Sequence, residues 1–344
     1  NNTSERIAFL YNAVKKRLPN KAEQTLYCGD LEEAWKEGDG NTAEINLILL
    51  NLLRKANVSA YPLLVSTREN GQVDMKFPSV GQLNGVDVLA MDTQRVYVLD
   101  ASLKFQSSEN YPMNILFRDA FLLEDGNYRW VSISDEKPLV KQSMHIVARL
   151  KEDGQLEGTA YAKFYDYAKS FVLDSTTKED DEDKFFDKMP QGLTIKSTKS
   201  EDADSIFKPL SQTIDFSFEP QQSNEFYFIN PLLLSGKKDN PFKSERRNTH
   251  IDMLCNQELS FSLQLELPSS FAVENLPKSI IVRAPDSSFY FKRMASTSND
   301  MVFLQQVFEI KTPIFHRDDY PGIKEFFERA FALMQEEIVF KKKK

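Results

Sequence analysis

Nucleophilic catalysis by a thiol needs three groups in reach of one another: a cysteine, an imidazole to take its proton, and a carboxylate or amide to orient the ring. The 344-residue chain holds few of them. Its two cysteines, Cys28 and Cys255, lie far apart, and no histidine precedes His145; His250 and His316 complete the set. Two cysteines are too few for a Cys-rich zinc site or a disulfide framework. Cys28 stands beside Gly29-Asp30 with no basic partner placed near it by the sequence, so it reads as a buried, inert thiol. His250 and Cys255 fall close together in a loop-to-strand region, and that proximity reads as coincidence.

The elements that would position such groups come early in the chain. Ser4 is placed to cap a helix with Ile7, Leu10, Tyr11, Val14 and Leu18 along one face, ended by Pro19-Asn20. Asp30, with Glu33 three residues on, reads as a variant capping box opening a short helix that stops at Gly38. After the turn Gly38-Asp39-Gly40-Asn41, residues 42–55 give the strongest helix signal. Ile45, Leu49, Leu52 and Leu53 form one apolar face that Ile48 and Leu50 widen, which predicts a largely buried helix. Residues 60–67, 83–91 and 95–100 follow as strands, and 120–124 with 128–134 form a hairpin about Asp125-Gly126.

From His145 onward the pattern is mostly strand: 144–151, 155–165, 193–198, 213–219, 225–232, 259–267, 279–283, 289–293 and 301–311. Many short strands divided by polar and Pro-containing loops predict a β-sandwich. Phe226-Tyr227-Phe228 and Phe289-Tyr290-Phe291 alternate within such strands, which favours sandwich core over an aromatic glycan- or peptide-binding face. The charged run 178–184 (KEDDEDK), followed by Phe185, Phe186 and Met189, reads as a solvated turn leading into a short helix. The chain closes on an amphipathic helix with the stripe Ile323, Phe326, Phe327, Ala330, Phe331 and Met334, read as core packing.

Composition bounds the rest. An apolar share of 41% with 27% charged residues is that of a folded soluble chain and excludes disorder, collagen and coiled coil. The length suggests two domains: an α+β domain over residues 1–140, and a mainly-β sandwich with a C-terminal helix over 141–344. The longest apolar stretch, residues 45–53, is broken by Asn46 and Asn51 and falls short of the roughly 20 residues a membrane span needs. With 51 acidic against 43 basic side chains and no dense basic face, general nucleic-acid binding is excluded. The four terminal lysines at 341–344 are too short a run to reverse that. The opening Asn1-Asn2, without methionine or a signal-like segment, reads as a mature or truncated product.

A buried helix after a Gly-containing turn, then three antiparallel strands, is a frame that suits thiol chemistry. The helix dipole eases deprotonation of a thiol at its N-terminus, one strand can offer an imidazole, and the next a carboxylate. The residues resemble the transglutaminase-like superfamily of cysteine enzymes. Its motif Gly-x-Cys-x-Asp/Glu followed by a Leu-rich helix stands here as Gly40-Asn41-Thr42-Ala43-Glu44, closed by Leu52-Leu53-Arg54. Residues 58–71 (VSAYPLLVSTRENG) resemble the family's strand after the helix. Leu83-Asn84-Gly85-Val86 resembles its histidine segment, and Val96-Tyr97-Val98-Leu99-Asp100-Ala101 its aspartate segment. Asn240-Pro241-Phe242-Lys243, Glu274-Asn275-Leu276-Pro277-Lys278 and Tyr320-Pro321-Gly322-Ile323-Lys324-Glu325-Phe326 resemble a C-terminal β-domain of unknown function, joined to such a domain in Gram-negative envelope proteins.

The departures from that pattern decide the functional expectation. Thr42 stands where the family has its cysteine and Gly85 where it has its histidine; only Asp100 remains. A one-residue slip brings Asn84 or Val86 to the histidine position, so the loss survives it. A threonine hydroxyl without a base is a poor nucleophile, and glycine accepts no proton. On a strand, Gly85 and Asp87 share a face. The family usually has an apolar residue at the position of Asp87. Asp87, Asp100 and Glu44 are therefore candidate ligand-binding residues, lining an acidic pocket with the Thr42 hydroxyl for a cation or an amine. Local ion-pair networks are the commoner use of such carboxylates. No metal or other cofactor is implied.

The resemblance thus implies a pseudoenzyme: a binding or structural module of the bacterial cell envelope or periplasm, with a peptide or cell-wall-type ligand as its natural partner. Two other readings compete with it. One is a residual, thiol-independent hydrolase or acyltransferase; the other is a purely architectural fragment of a larger envelope protein. The sequence sets neither the oligomeric state nor a Cys28–Cys255 pairing.

Overall fold

The computed structural model describes residues 2–18, 24–134, 139–177, 190–205, 208–234 and 239–343. The charged run 178–184 with Phe185, Phe186 and Met189, and the Pro19-Asn20 break, lie outside them. The chain divides into two units, Asn1–Pro138 and Leu139–Lys344; the boundary read from the sequence falls two residues later.

In the first unit, α1 (Thr3–Arg17) is capped by Asn2, whose side chain accepts from the Ser4 N–H. Ser4 therefore lies in the first turn and not at the cap. Asp30 caps α2 (Leu31–Glu37), which ends at Gly38 with φ 75°, a left-handed conformation that glycine adopts without a Cβ penalty. The reciprocal capping box sits at α3 (Thr42–Lys55) instead. There the Glu44 N–H donates to Asn41 Oδ1 at 2.9 Å, and the Asn41 N–H donates to Glu44 Oε2 at 2.8 Å.

Strands β1 (Ser59–Val65), β2 (Gly85–Met91), β3 (Val96–Leu99), β4 (Arg118–Glu124) and β5 (Asn127–Ile133) form one antiparallel sheet in the order β3-β2-β1-β4-β5. Ala60, Val88 and Ala90 pack with Ile7 and Tyr11 of α1 and Ile45, Leu49 and Leu53 of α3. Leu63, Val65 and Leu89 join a separate cluster with Leu122 and Ile133. Alternate residues of β1 and β2 thus feed two cores, which is why β2 is buried along nearly its whole length.

The second unit holds β6 (Leu139–Leu150), β7 (Leu156–Tyr165), α4 (Asp166–Thr177), β8 (Leu193–Glu201), β9 (Leu210–Phe218), β10 (Gln221–Ser223), β11 (Phe226–Ile229), β12 (Ile251–Asp252), β13 (Asn256–Glu266), β14 (Phe271–Asn275), β15 (Ile280–Arg283), β16 (Phe289–Ser298), β17 (Met301–Ile310), β18 (Ile314–Phe315), α5 (Tyr320–Met334) and β19 (Ile338–Lys342). Eight strands make one long sheet, β15-β16-β17-β13-β6-β7-β9-β8, antiparallel except where β6 meets β13. Four more make β10-β11-β19-β14, and β12 pairs with β18.

One face of the long sheet is covered in two parts. Val302, Leu304, Phe308 and Ile310 alternate along that face of β17. The first two pack with Tyr227, Ile229, Phe271, Ile338 and Phe340 of the four-stranded sheet. The last two pack with Ile323, Phe326 and Phe327 of α5. Sheet lies on sheet over one part, and the C-terminal helix takes the place of the second sheet over the other. Tyr227, Phe289 and Phe291 of the two aromatic triplets are buried in these cores.

Candidate functional site

Thr42 is the first residue of α3, and only 1% of it is exposed. The Thr25 N–H donates to its hydroxyl at 2.9 Å, and the hydroxyl donates to the Thr25 carbonyl at 3.3 Å. The same short segment is fastened twice more to the first turn of the helix. Asn41 Nδ2 donates to the Tyr27 carbonyl at 3.2 Å, and the Gly29 N–H donates to Glu44 Oε1 at 2.8 Å. Gln24 reaches the first residue of β2: a Cβ placed on Gly85 would lie 2.2 Å from Gln24 Nε2 and 3.1 Å from Val65 Cγ2. Residues 24–29 are therefore a strap across Thr42 and Gly85. The space a side chain at Gly85 would enter is filled by Gln24.

Asp87 and Asp100 are each 1% exposed. The β2–β3 register pairs Val88 with Leu99, so the next step sets Asp87 opposite Asp100. Asp100 Oδ1 accepts from Asn46 Nδ2 at 2.8 Å, from the Ser102 N–H at 2.9 Å and from Ser102 Oγ at 2.6 Å. Asn46 also donates to the Val86 carbonyl at 2.8 Å and accepts from the Ala101 N–H at 2.7 Å, joining α3 to both strands. The Tyr11 hydroxyl donates to the Asp100 carbonyl at 3.0 Å. Among the described residues, Oδ2 of Asp87 and Oδ2 of Asp100 have no hydrogen-bond partner.

Burial sets the electrostatics. It raises the Asp87 carboxyl well above its ordinary range, and the charge of Asp100 adds to the effect. Asp100 is raised by burial as well, opposed by its hydrogen bonds from Ser102 and Asn46 and by the charge of Lys15. The Tyr11 phenol is pushed up by burial and then by the two carboxylates. Two facing carboxyls in a dry site favour keeping a proton.

Of the residues singled out from sequence, the structure brings together Asp87 and Asp100 and joins Thr42 and Gly85 through the strap. Glu44 has a different task, since its two oxygens hold the helix cap and the Gly29 N–H. Among the described residues no group of three or more His, Cys, Asp or Glu is arranged to hold a metal ion. Cys28, read from the sequence as buried, is exposed at the surface; Cys255 is buried, and no disulfide joins the two. Sequence reasoning missed Asn46 and the strap. Asn46 was visible as an interruption of the apolar stretch; a polar residue on the buried side of an otherwise apolar helix is the signal that could have marked it.

Residues 224–340, about a third of the chain, match a family described as a domain of unknown function with a solved structure, DUF3858. The three C-terminal segments noted above fall within that range. The fold is similar to the crystal structure of a putative protease from Parabacteroides distasonis ATCC 8503, with a TM-score of 0.56 at 10% identity. The likeness covers 99% of this chain and 52% of that one, so this chain spans about half the length of that protein. No curated protein sequence matches the chain.

Proposed function

We propose that the chain is a non-catalytic, transglutaminase-like protein that serves as a structural or binding module in the envelope of a Gram-negative bacterium. The observation that carries this reading is the strap. The hydroxyl at the family's nucleophile position is hydrogen-bonded in both directions to Thr25, and Gln24 fills the space beside Gly85. No imidazole stands in the first unit to activate that hydroxyl, and the exposed Cys28 belongs to the strap and not to the helix start.

A peptide or cell-wall-type ligand would have to displace residues 24–29 to reach Thr42. An architectural part for the first unit therefore fits better than ligand capture in the cleft, and any binding falls to other surfaces. The protease name stays with the Parabacteroides protein, since a likeness at 10% identity over half of its length speaks for the fold alone.

The test uses the full chain, a thiol-directed activity probe and a panel of peptide amides. No turnover is expected from the wild type or from Thr42→Ala. Turnover that disappears in Cys28→Ala or in Thr42→Ala would overturn the reading in favour of a residual hydrolase or acyltransferase.

A further inference from the structure

The chain holds three histidines, and two of them meet. Strands β12 and β18 form an antiparallel ribbon in which Ile251 faces Phe315. One step outward, His250 faces His316. Both side chains are exposed, and their ring centroids are 4.8 Å apart with the planes at 62°. The Asp318 N–H donates to His316 Nδ1 at 3.3 Å, and Asp318 Oδ2 lies 3.1 Å from the same nitrogen. A metal ion on Nε2 requires the ring proton to stand on Nδ1, where Asp318 Oδ2 accepts it in place of the contact from the backbone N–H.

We propose that His250 and His316 form a two-imidazole chelate for a divalent late transition-metal ion of the Zn²⁺ or Cu²⁺ type, with Asp318 as a positioning residue behind His316. Imidazole is a preferred ligand of these ions. Coordination at about 2.0–2.1 Å, with the two nitrogens near a tetrahedral angle, places two ring centroids about 5 Å apart. The observed 4.8 Å separation meets that requirement. A carboxylate on the far nitrogen is the usual second partner of a ligating histidine, fixing its orientation and raising its basicity. No third His, Cys, Asp or Glu joins the pair among the described residues, so the remaining positions on the ion are left to water or to a donor of a bound molecule. His145 serves as the internal control: it lies on β6 and contacts Ser262 and Tyr161 instead of another histidine.

The experiment titrates the full chain with Zn²⁺, and separately with Cu²⁺, by calorimetry in a non-chelating buffer. Imidazole proton resonances of the wild type are followed in parallel during the Zn²⁺ titration. One ion per chain is expected at this site. His250→Ala and His316→Ala each weaken binding by about tenfold or more, Asp318→Asn weakens it by about tenfold, and His145→Ala leaves it unchanged. The resonances of His250 and His316 move together while those of His145 stay. Binding that is undiminished in His250→Ala or His316→Ala would overturn the proposal, as would wild-type resonances that do not move in millimolar Zn²⁺. The wild-type spectra decide the matter even where a variant fails to fold.

Discussion

Two ionisable side chains are buried to the same depth in different units: Arg293 on β16 and Asp87 on β2, each 1% exposed. Arg293 is answered in every direction. Its Nε donates to the Lys278 carbonyl at 2.9 Å, Nη1 to the Leu333 carbonyl at 2.6 Å and Nη2 to Glu336 at 2.6 Å. Leu333 is in the last turn of α5, so the cation also sits where the helix dipole favours it. Asp87 has an Oδ2 without a partner and a second acid opposite. Desolvation is costly for both; Arg293 gains three hydrogen bonds and Coulomb attraction to offset it, whereas Asp87 Oδ2 gains no partner among the described residues. Burial alone therefore says little about what a charged residue does. Arg293 clamps a helix to a sheet, while Asp87 marks the β2–β3 edge as the place where the packing rules are broken.

The largest effect should follow from breaking the clamp. Arg293→Ala removes three hydrogen bonds and empties the space of a large side chain that is 1% exposed, a loss of about 3–5 kcal/mol. Hydrogen exchange should show protection falling around α5 and β16 while α3 and β2 keep theirs. Equal loss in both units would mean that the clamp acts beyond its own sheet.

Asp87→Asn should act in the opposite direction. The folded pKa of Asp87 is raised above the ordinary 3.8, so its favourable contribution is complete below that value and is lost as pH rises through the folded value. An amide is neutral throughout and can donate to the unpartnered Oδ2 of Asp100. The variant should gain about 1–3 kcal/mol near neutral pH, the scale of relieving one buried unsatisfied group. Urea midpoints at about pH 4 and about pH 8 check it, because the gain should shrink at the lower pH. A gain equal at both would show that proton uptake is not what limits the pair.

Much of this frame was legible in the residues. The apolar face of α3 and the strands that follow were plain because periodicity and turn residues act locally. The α1 cap was misplaced from Asn2 to Ser4, since both types can cap and only the backbone decides. Helix α4 and strands β14 and β19 were not foreseen. Strand β19 is short and completes a sheet with β11 and β14, partners far away in the chain, and local pattern carries no trace of such pairing. The candidate site divided in the same way. Thr42, Gly85 and Asp100 were marked by the resemblance to a family pattern, whereas the strap over Thr42 and Gly85 was not, because residues 24–29 hold Thr42 and Glu44 largely through backbone atoms that any sequence possesses.

The smallest effect sharpens the contrast from the other side. Glu157 on β7 is better partnered than Asp87, with Lys151 at 2.6 Å and Lys196 at 2.7 Å, and those hydrogen bonds hold its carboxyl down at about 2. It is also far more exposed than either buried group. Water and salt screen an exposed pair, and ordering two long lysine side chains opposes the attraction. Its stabilising share is present above the ordinary 4.5 and disappears as pH falls through about 2, a window opposite to that of Asp87. Glu157→Gln should therefore shift the unfolding midpoint only slightly at low ionic strength, and the shift should vanish when salt is raised. A loss as large as that of Arg293→Ala, persisting in high salt, would show that partner count and not burial sets the scale of these interactions in this protein.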